Sequence, residues 1–209
     1  MFRKIYLYSV LMACAITACK KSSTEEIIDD SSEVSKLSYK ALNTTIDSLQ
    51  YHNPLQLDLN NDQQIDFILT SVLLEENNRP YLYLVVNRKS PQLNKIMVNT
   101  SSELVDAGYW AVPFEKNVNI GPTESAENQW TPDLSKAFLI NVSDNGINKT
   151  FAGEWIGKKD KYLGLKFLIG NVYHYGWLRI SHTEGEEKLA IIDYAYNREA
   201  GKAIKAGQK

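Results

Sequence analysis

The chain has 209 residues, of which 44% are hydrophobic, 11% aromatic and 23% charged, with 11 Gly, 6 Pro and 2 Cys. This is enough apolar material for one sizeable core and too little for several domains, and it excludes collagen-like, coiled-coil and disordered compositions. With 23 Lys+Arg against 25 Asp+Glu the formal net charge is −2, which excludes the strongly basic surface of a nucleic-acid binder.

Residues 1–18 (MFRKIYLYSVLMACAITA) place Arg3 and Lys4 ahead of an apolar run that is too short for a spanning helix and reads as a secretory signal. The segment Ile16, Thr17, Ala18, Cys19 is similar to a bacterial lipobox, in which small residues precede a Cys that is acylated after cleavage. Cys19 is therefore the expected lipidation site. The other reading is a plain secretory signal with an incidental Cys. Cys14 is a poorer cleavage site because the bulky Met12 precedes it at a position where a smaller residue is usual. With Cys14 removed and Cys19 lipidated, the mature domain has no thiol for a disulfide, a zinc site or a nucleophile. Residues 19–36 (CKKSSTEEIIDDSSEVSK) are dominated by Lys, Ser, Glu and Asp, and they read as a disordered tether between membrane and domain.

From residue 37 onward β alternation dominates, and no repeat of 20–50 residues is present. A short helix is conceivable only over 35–48, where the β-branched Thr44, Thr45 and Ile46 oppose a long one. Residues 65–74 (IDFILTSVLL) are apolar on both parities, as in a central strand, and a polar turn ending in Pro80 joins them to 81–86 (YLYLVV) as a hairpin. Further strands are expected at 95–98, at 138–142, and at 163–169, where Leu163, Leu165, Phe167 and Ile169 share the buried parity. The pair Gly170, Asn171 supplies a two-residue turn into 172–180, and 188–196 follows as a third strand. Residues 100–133 hold Trp110, Trp130, Pro113, Pro122 and Pro132 in a polar background and read as long loops packed by aromatics. The pattern points to an antiparallel sandwich or barrel, and the expected fold is a single antiparallel all-β domain over 37–209, a sandwich or jelly-roll-like one.

One constellation carries chemistry. In residues 58–66 (DLNNDQQID), Asp58, Asn60, Asp62 and Asp66 fall at positions 1, 3, 5 and 9 of a tight loop, and Gln64 offers its carbonyl at position 7. Calcium takes six to eight oxygens, and a loop that turns alternate side chains inward supplies them. Gln63 stands where a Gly would ease the turn, and position 12 is Leu69, so the loop is not an EF-hand. Two readings stay open, a structural calcium site and an Asp/Asn-rich turn whose side chains bond their own backbone.

The C-terminal third adds a resemblance. Residues 162–167 (YLGLKF), 174–180 (HYGWLRI), 193–197 (DYAYN) and 204–207 (IKAG), with 58–67 as an earlier segment and 153–155 (GEW) between, resemble a group of secreted bacterial β-rich proteins. The lipobox and acidic tether make this chain similar to the Bacteroidetes lipoproteins among them. The resemblance implies a β architecture and an outer-membrane, cell-envelope location, and no catalytic assignment comes with it. Within these motifs Gly176 lets a large ring lie over bare backbone, and Tyr175, Trp177, Tyr194 and Tyr196 suggest an aromatic ladder. His174 is expected to be a strand His satisfied by its neighbours.

No G-x-S-x-G elbow, phosphate loop or H-E-x-x-H occurs, and the three His are His52, His174 and His182. Residues 182–184 (HTE) read as an exposed loop. These points lead to a non-enzymatic envelope lipoprotein with a structural or interaction role, which engages the membrane through its lipid and has an envelope protein or a glycan as partner. A glycan-binding module, with Trp110 and Trp130 as stacking rings, is the alternative, and a glycoside hydrolase built on two facing carboxylates is the remoter one. Residues 47–49 (DSL) match a short O-glycosylation pattern.

Overall fold

A computed structural model describes residues 36–76, 79–90 and 93–209. The leader 1–18, Cys19 and the tether up to residue 35 lie outside the described residues. The domain is all-β. Its strands are β1 (Leu37–Ile46), β2 (Leu55–Leu57), β3 (Phe67–Glu76), β4 (Arg79–Arg88), β5 (Lys95–Leu104), β6 (Gly108–Ala111), β7 (Asn119–Ile120), β8 (Asn128–Trp130), β9 (Lys136–Asp144), β10 (Lys149–Ala152), β11 (Lys161–Ile169), β12 (Val172–His182), β13 (Leu189–Asn197) and β14 (Ile204–Lys205), with one short 3-10 turn at Val105–Ala107.

Ten strands form one continuous path in the order β1-β13-β12-β11-β5-β6-β9-β4-β3-β2, while β10 and β8 pair laterally with β9 and β5. All the pairings are antiparallel except β6 with β9. The expected all-β fold is present, built mainly as one large mixed sheet curled nearly into a barrel. The physical reason lies in β5, which pairs with β11 at its start and with β6 further along, so twelve strands stay in one sheet, and β7 and β14 form a separate two-stranded one. The main core runs from Ile46 at one end of the path to Leu57 at the other, through Phe67, Leu84, Phe167 and Ile191, all 3% exposed or less.

The expected hairpins are present. β3 and β4 pair without interruption from Phe67 opposite Arg88 to Glu76 opposite Arg79. β11 and β12 turn at Gly170, where φ is +61°, and pair from Ile169 opposite Val172 onward. Leu163, Leu165 and Phe167 are buried in the main core, as their shared parity requires. Three readings are corrected. The segment allowed a short helix is strand β1, held by eight register pairs to β13 and interrupted by an irregularity between Ala41 and Thr44. The stretch 100–133 contains β6, β7 and β8, which sequence pattern does not reveal because each is four residues or fewer. No single aromatic ladder forms, because Tyr194 and Tyr196 pair with Leu178 and Gly176, and so belong to the parity opposite Tyr175 and Trp177.

That difference in parity creates a second core on the outer face of β11 to β13. Tyr175 and Trp177 pack there with Met97, Ile120, Trp130 and Tyr162. Gly164 stands opposite Trp177, and a side chain at Gly164 would press on Met97 and Phe114. Phe114 packs against this cluster and is tied down by its N–H and carbonyl, which bond the carbonyl and N–H of Tyr162 at 2.9 and 3.0 Å. Nearby, the buried Asp193 carboxylate accepts Arg179 Nε and Nη2 at 2.8 and 2.7 Å, Lys209 Nζ at 2.8 Å and Tyr39 Oη at 2.9 Å. Burial pushes this carboxyl up, but the four donors outweigh it and hold it below the ordinary carboxylate range.

Gly176 tests the packing between β12 and β13. A Cβ there would lie 2.7 Å from the Ala195 carbonyl oxygen and 2.9 Å from Tyr196 Cβ. Gly176→Val is expected to lower stability by about 1–3 kcal/mol, read as a lower denaturant midpoint at unchanged slope.

Candidate metal-binding loop

The loop 58–66 joins β2 to β3, and Leu57 opposite Phe67 closes its base. Leu59, 1% exposed, plugs into the main core and fixes where the loop begins. The Asp66 N–H donates to the Leu57 carbonyl at 2.8 Å, which fixes where it ends. Between these anchors Asn61 and Gln63 take left-handed backbone, with φ of +59° and +70°. For Gln63 this costs about 1 kcal/mol or more relative to Gly.

The predicted ligands organise this turn. Asp58 accepts the Asp62 N–H on Oδ1 at 3.2 Å and the Gln63 N–H on Oδ2 at 2.8 Å. Asn60 Oδ1 accepts the Asp62 N–H at 3.3 Å, and Asp62 Oδ1 accepts the Gln64 N–H at 2.8 Å. Asn60 Nδ2 also donates to Asp62 Oδ2 at 2.9 Å. Asp58, Asn60 and Asp62 are thereby brought onto one small stretch of backbone, while the Gln64 side chain is exposed.

Asp66 sits apart from that network and below it. Its Oδ2 accepts the Leu59 N–H at 2.9 Å and its Oδ1 accepts Asn94 Nδ2 at 3.3 Å. Asn94 returns its own Oδ1 to the Leu168 N–H at 3.2 Å, which connects the loop to β11. Tyr194 Oη on β13 donates to the carbonyls of Asp58 and Leu59 at 3.4 and 3.3 Å. Asn94 and Tyr194 lie too far along the chain for any local spacing to mark them as part of this site. A cleft of about 170 Å³ opens beside it, lined by Asp62, Gln64, Asp66, Ser90, Leu93 and Asn94 among others.

Burial is the first cause that pushes the Asp66 carboxyl up, from 3.8 to about 6, and the nearby Asp62 and Asp58 carboxylates add to it. The Leu59 amide and Asn94 act in the opposite sense. Tyr194 is pushed up to about 12, first by burial and then by Tyr196, Asp58 and Asp66. Among the described residues no three His, Cys, Asp or Glu side chains are gathered as a metal cluster, since the Asp58 and Asp62 oxygens face backbone amides and Asp66 faces Leu59 and Asn94. The donor set is oxygen only, which suits calcium and not zinc.

The remaining sites resolve differently. Trp110 and Trp130 lie on strands, not in loops, and in separate clusters. Trp110 is half-buried against Phe138 and Tyr83, with ring centroids 6.4 and 6.5 Å away. Trp130 is 8% exposed and packs on Tyr175, 5.7 Å between centroids, so the two rings form no shared platform for a sugar. Trp155 and Trp177 are fully buried, and Trp155 Nε1 donates to the Ala111 carbonyl at 2.8 Å. His174 is buried, with Nδ1 2.8 Å from the Asn197 carbonyl. His182 is buried as well, contrary to an exposed loop. It accepts the Gly157 N–H on Nδ1 at 2.9 Å and holds the Glu186 carbonyl at Nε2 at 2.8 Å, a pairing that fixes the neutral tautomer.

No protein-family model, no curated protein and no solved structure matches this chain.

The raised Asp66 value sets a pH dependence for the metal-free protein. Between about pH 4 and 6 the folded state keeps a proton that the unfolded chain has released, so stability falls as pH rises through that window. Denaturant titrations in EDTA are expected to show a loss of roughly 2–3 kcal/mol from pH 4 to pH 7, and Asp66→Asn is expected to flatten it.

Proposed function

We propose that the chain is a lipid-anchored protein of the bacterial outer membrane whose β domain works as a structural or interaction module, without catalysis, and uses one calcium ion to stiffen the loop 58–66. The observation that supports this reading best is the loop itself. Three oxygen side chains, Asp58, Asn60 and Asp62, already hold their turn through backbone amides, and each acceptor oxygen keeps a further lone pair for an ion. The buried Asp66 carboxyl near them is disfavoured as an anion first by burial and then by Asp62 and Asp58, and a divalent cation relieves the latter repulsion.

In this reading calcium is supplied by Asp58, Asn60 and Asp62 side chains and the Gln64 carbonyl, with Asp66 reached directly or through water. Its role is mechanical. It fixes the β2 to β3 junction against Tyr194 at the place where the two ends of the curled sheet meet. The anchor rests on the lipobox ending at Cys19, and the compartment on the same segment together with the resemblance of the C-terminal motifs.

Calcium has a direct test. At about 100 times its Kd a folded-state ligand adds roughly 2.7 kcal/mol, so millimolar calcium is expected to raise the melting midpoint above that in EDTA, and Asp58→Ala to abolish the difference. Identical midpoints in both conditions, with Asp58→Ala equally silent, remove the calcium from the proposal. The anchor is tested separately. Cys19→Ser is expected to shift the protein from the detergent phase to the aqueous phase on phase partition of whole cells, and retention in the detergent phase would count against lipidation at this residue.

A further inference from the structure

The β3–β4 hairpin extends past the core, and its far edge is open. β4 covers β3 along its whole length, whereas β2 covers it only at 67–69. The next two residues are served by a loop: Thr70 Oγ1 donates to the Gln50 carbonyl at 3.4 Å, and Ser71 Oγ donates to the Ser48 carbonyl at 2.9 Å while accepting the Tyr51 N–H at 3.0 Å. From residue 72 to 75 no described strand pairs that edge. Its sequence is Val72, Leu73, Leu74, Glu75, without the Lys or Pro that usually blunts an exposed edge.

Beside this edge lies an apolar groove of about 430 Å³ lined by Tyr51, Ser71, Val72, Leu73 and Leu82. Leu73 and Leu82 face each other across the hairpin and continue the core-facing parity of Leu69 and Leu84 beyond the point where the core ends. Leu73 is 70% exposed and Tyr51 56%. Together with the half-buried Leu82 they leave on the order of 300 Å² of apolar surface open, while the Val72 side chain packs on the other face in the cluster of Tyr83, Val85 and Phe138. A stable homodimer requires about 800 Å² from each partner, so a second copy of this chain is too large an occupant for the patch. A compact apolar molecule would fill the groove and leave the backbone edge unsatisfied.

We infer that residues 72–75 accept an extended peptide segment of a partner protein, which adds as a strand to the edge of β3 and seats an apolar side chain in the groove. Main-chain hydrogen bonds to the edge give the affinity, and the groove selects for Val, Leu or Phe at one alternate position. The surface lies seven residues along β3 from Asp66, roughly 23 Å, and its action does not depend on the calcium loop.

The test is calorimetric titration of the full chain with end-blocked octapeptides that alternate Val, Leu or Phe with Thr and Lys, run in EDTA and in calcium. At least one peptide is expected to bind in the micromolar range in both conditions. N-methylation of one alternate set of its amides is expected to weaken it at least tenfold while methylation of the other set is tolerated, because a strand presents only every second N–H to its neighbour. Leu73→Lys is expected to lose binding tenfold or more, and Asp58→Ala to leave it unchanged. Hydrogen exchange at residues 72–75 is expected to slow with peptide. The inference is overturned if no peptide saturates at millimolar concentration, if both N-methylated copies bind as well as the parent, or if sedimentation shows the chain pairing with itself through Leu73. Binding in EDTA with calcium without effect on melting would leave this inference standing and the calcium proposal rejected.

Discussion

The structure depends on the seam where the two ends of a single curled sheet come together. A ten-strand path has two free ends, here β1 and β2, and both must contribute to one core if the sheet is to bury a continuous inner face. Next to β1, Tyr194 on β13 carries the closure: its ring lies in the main core and its hydroxyl reaches the carbonyls of Asp58 and Leu59, just past β2. Leu59 fills the core from the other side, and its N–H is held by the Asp66 carboxylate. Three polar contacts at this point therefore help to hold the apolar residues of ten strands around one interior.

That geometry explains why the polar groups of the loop are arranged as they are. The seam brings Asp58 and Asp66 close to a buried tyrosine; after burial, Asp62 and Asp58 raise the cost of ionising Asp66, and Asp58 and Asp66 raise that of Tyr194. The loop offsets part of this by aiming Asp58, Asn60 and Asp62 at backbone amides, which are fixed positive dipole ends. Gln63 works against it, since its left-handed backbone costs about 1 kcal/mol that Gly would avoid. On the opposite face the balance differs. Asp193 is equally buried but meets two cationic side chains and a hydroxyl, so its charge is satisfied within the fold.

The legible part of the fold is the part with local alternation. β3, β4 and β11 to β13 are long, keep one parity apolar and are joined by short turns, so the pattern in Leu163, Leu165 and Phe167 states which face is buried. β1 was not legible because only Leu37 and Ile46 at its ends are buried, the apolar Tyr39 and Ala41 are exposed, and the half-buried positions between include the polar Thr44. β6 to β8 were hidden because their pairing depends on β5 and β9, distant in sequence, and because a half-buried Trp110 looks like a loop aromatic until its neighbours are known. In the loop, the spacing of Asp58, Asn60, Asp62 and Asp66 was visible. Its environment was not, since Asn94 and Tyr194 arrive from other strands, and the separation of Asp66 from the upper network follows from burial alone.

The same closure accounts for the uneven protection of β3. β2 is three residues long because its neighbouring segments are consumed by the seam: residues 58–66 form the loop, and 47–54 cross back from β1. Only the first part of β3 can then be covered by a strand, and backbone groups of the crossing loop bond the side chains of two residues more, Thr70 and Ser71. Lengthening β2 would pair the rest of β3, but it would move Pro54 into a ladder position on that strand, where it cannot donate. The protein thus fixes its sheet tightly at the end near Asp66 and leaves the end near Leu73 open. Pairing and burial are concentrated in the first region, and backbone groups that no described strand pairs lie in the second.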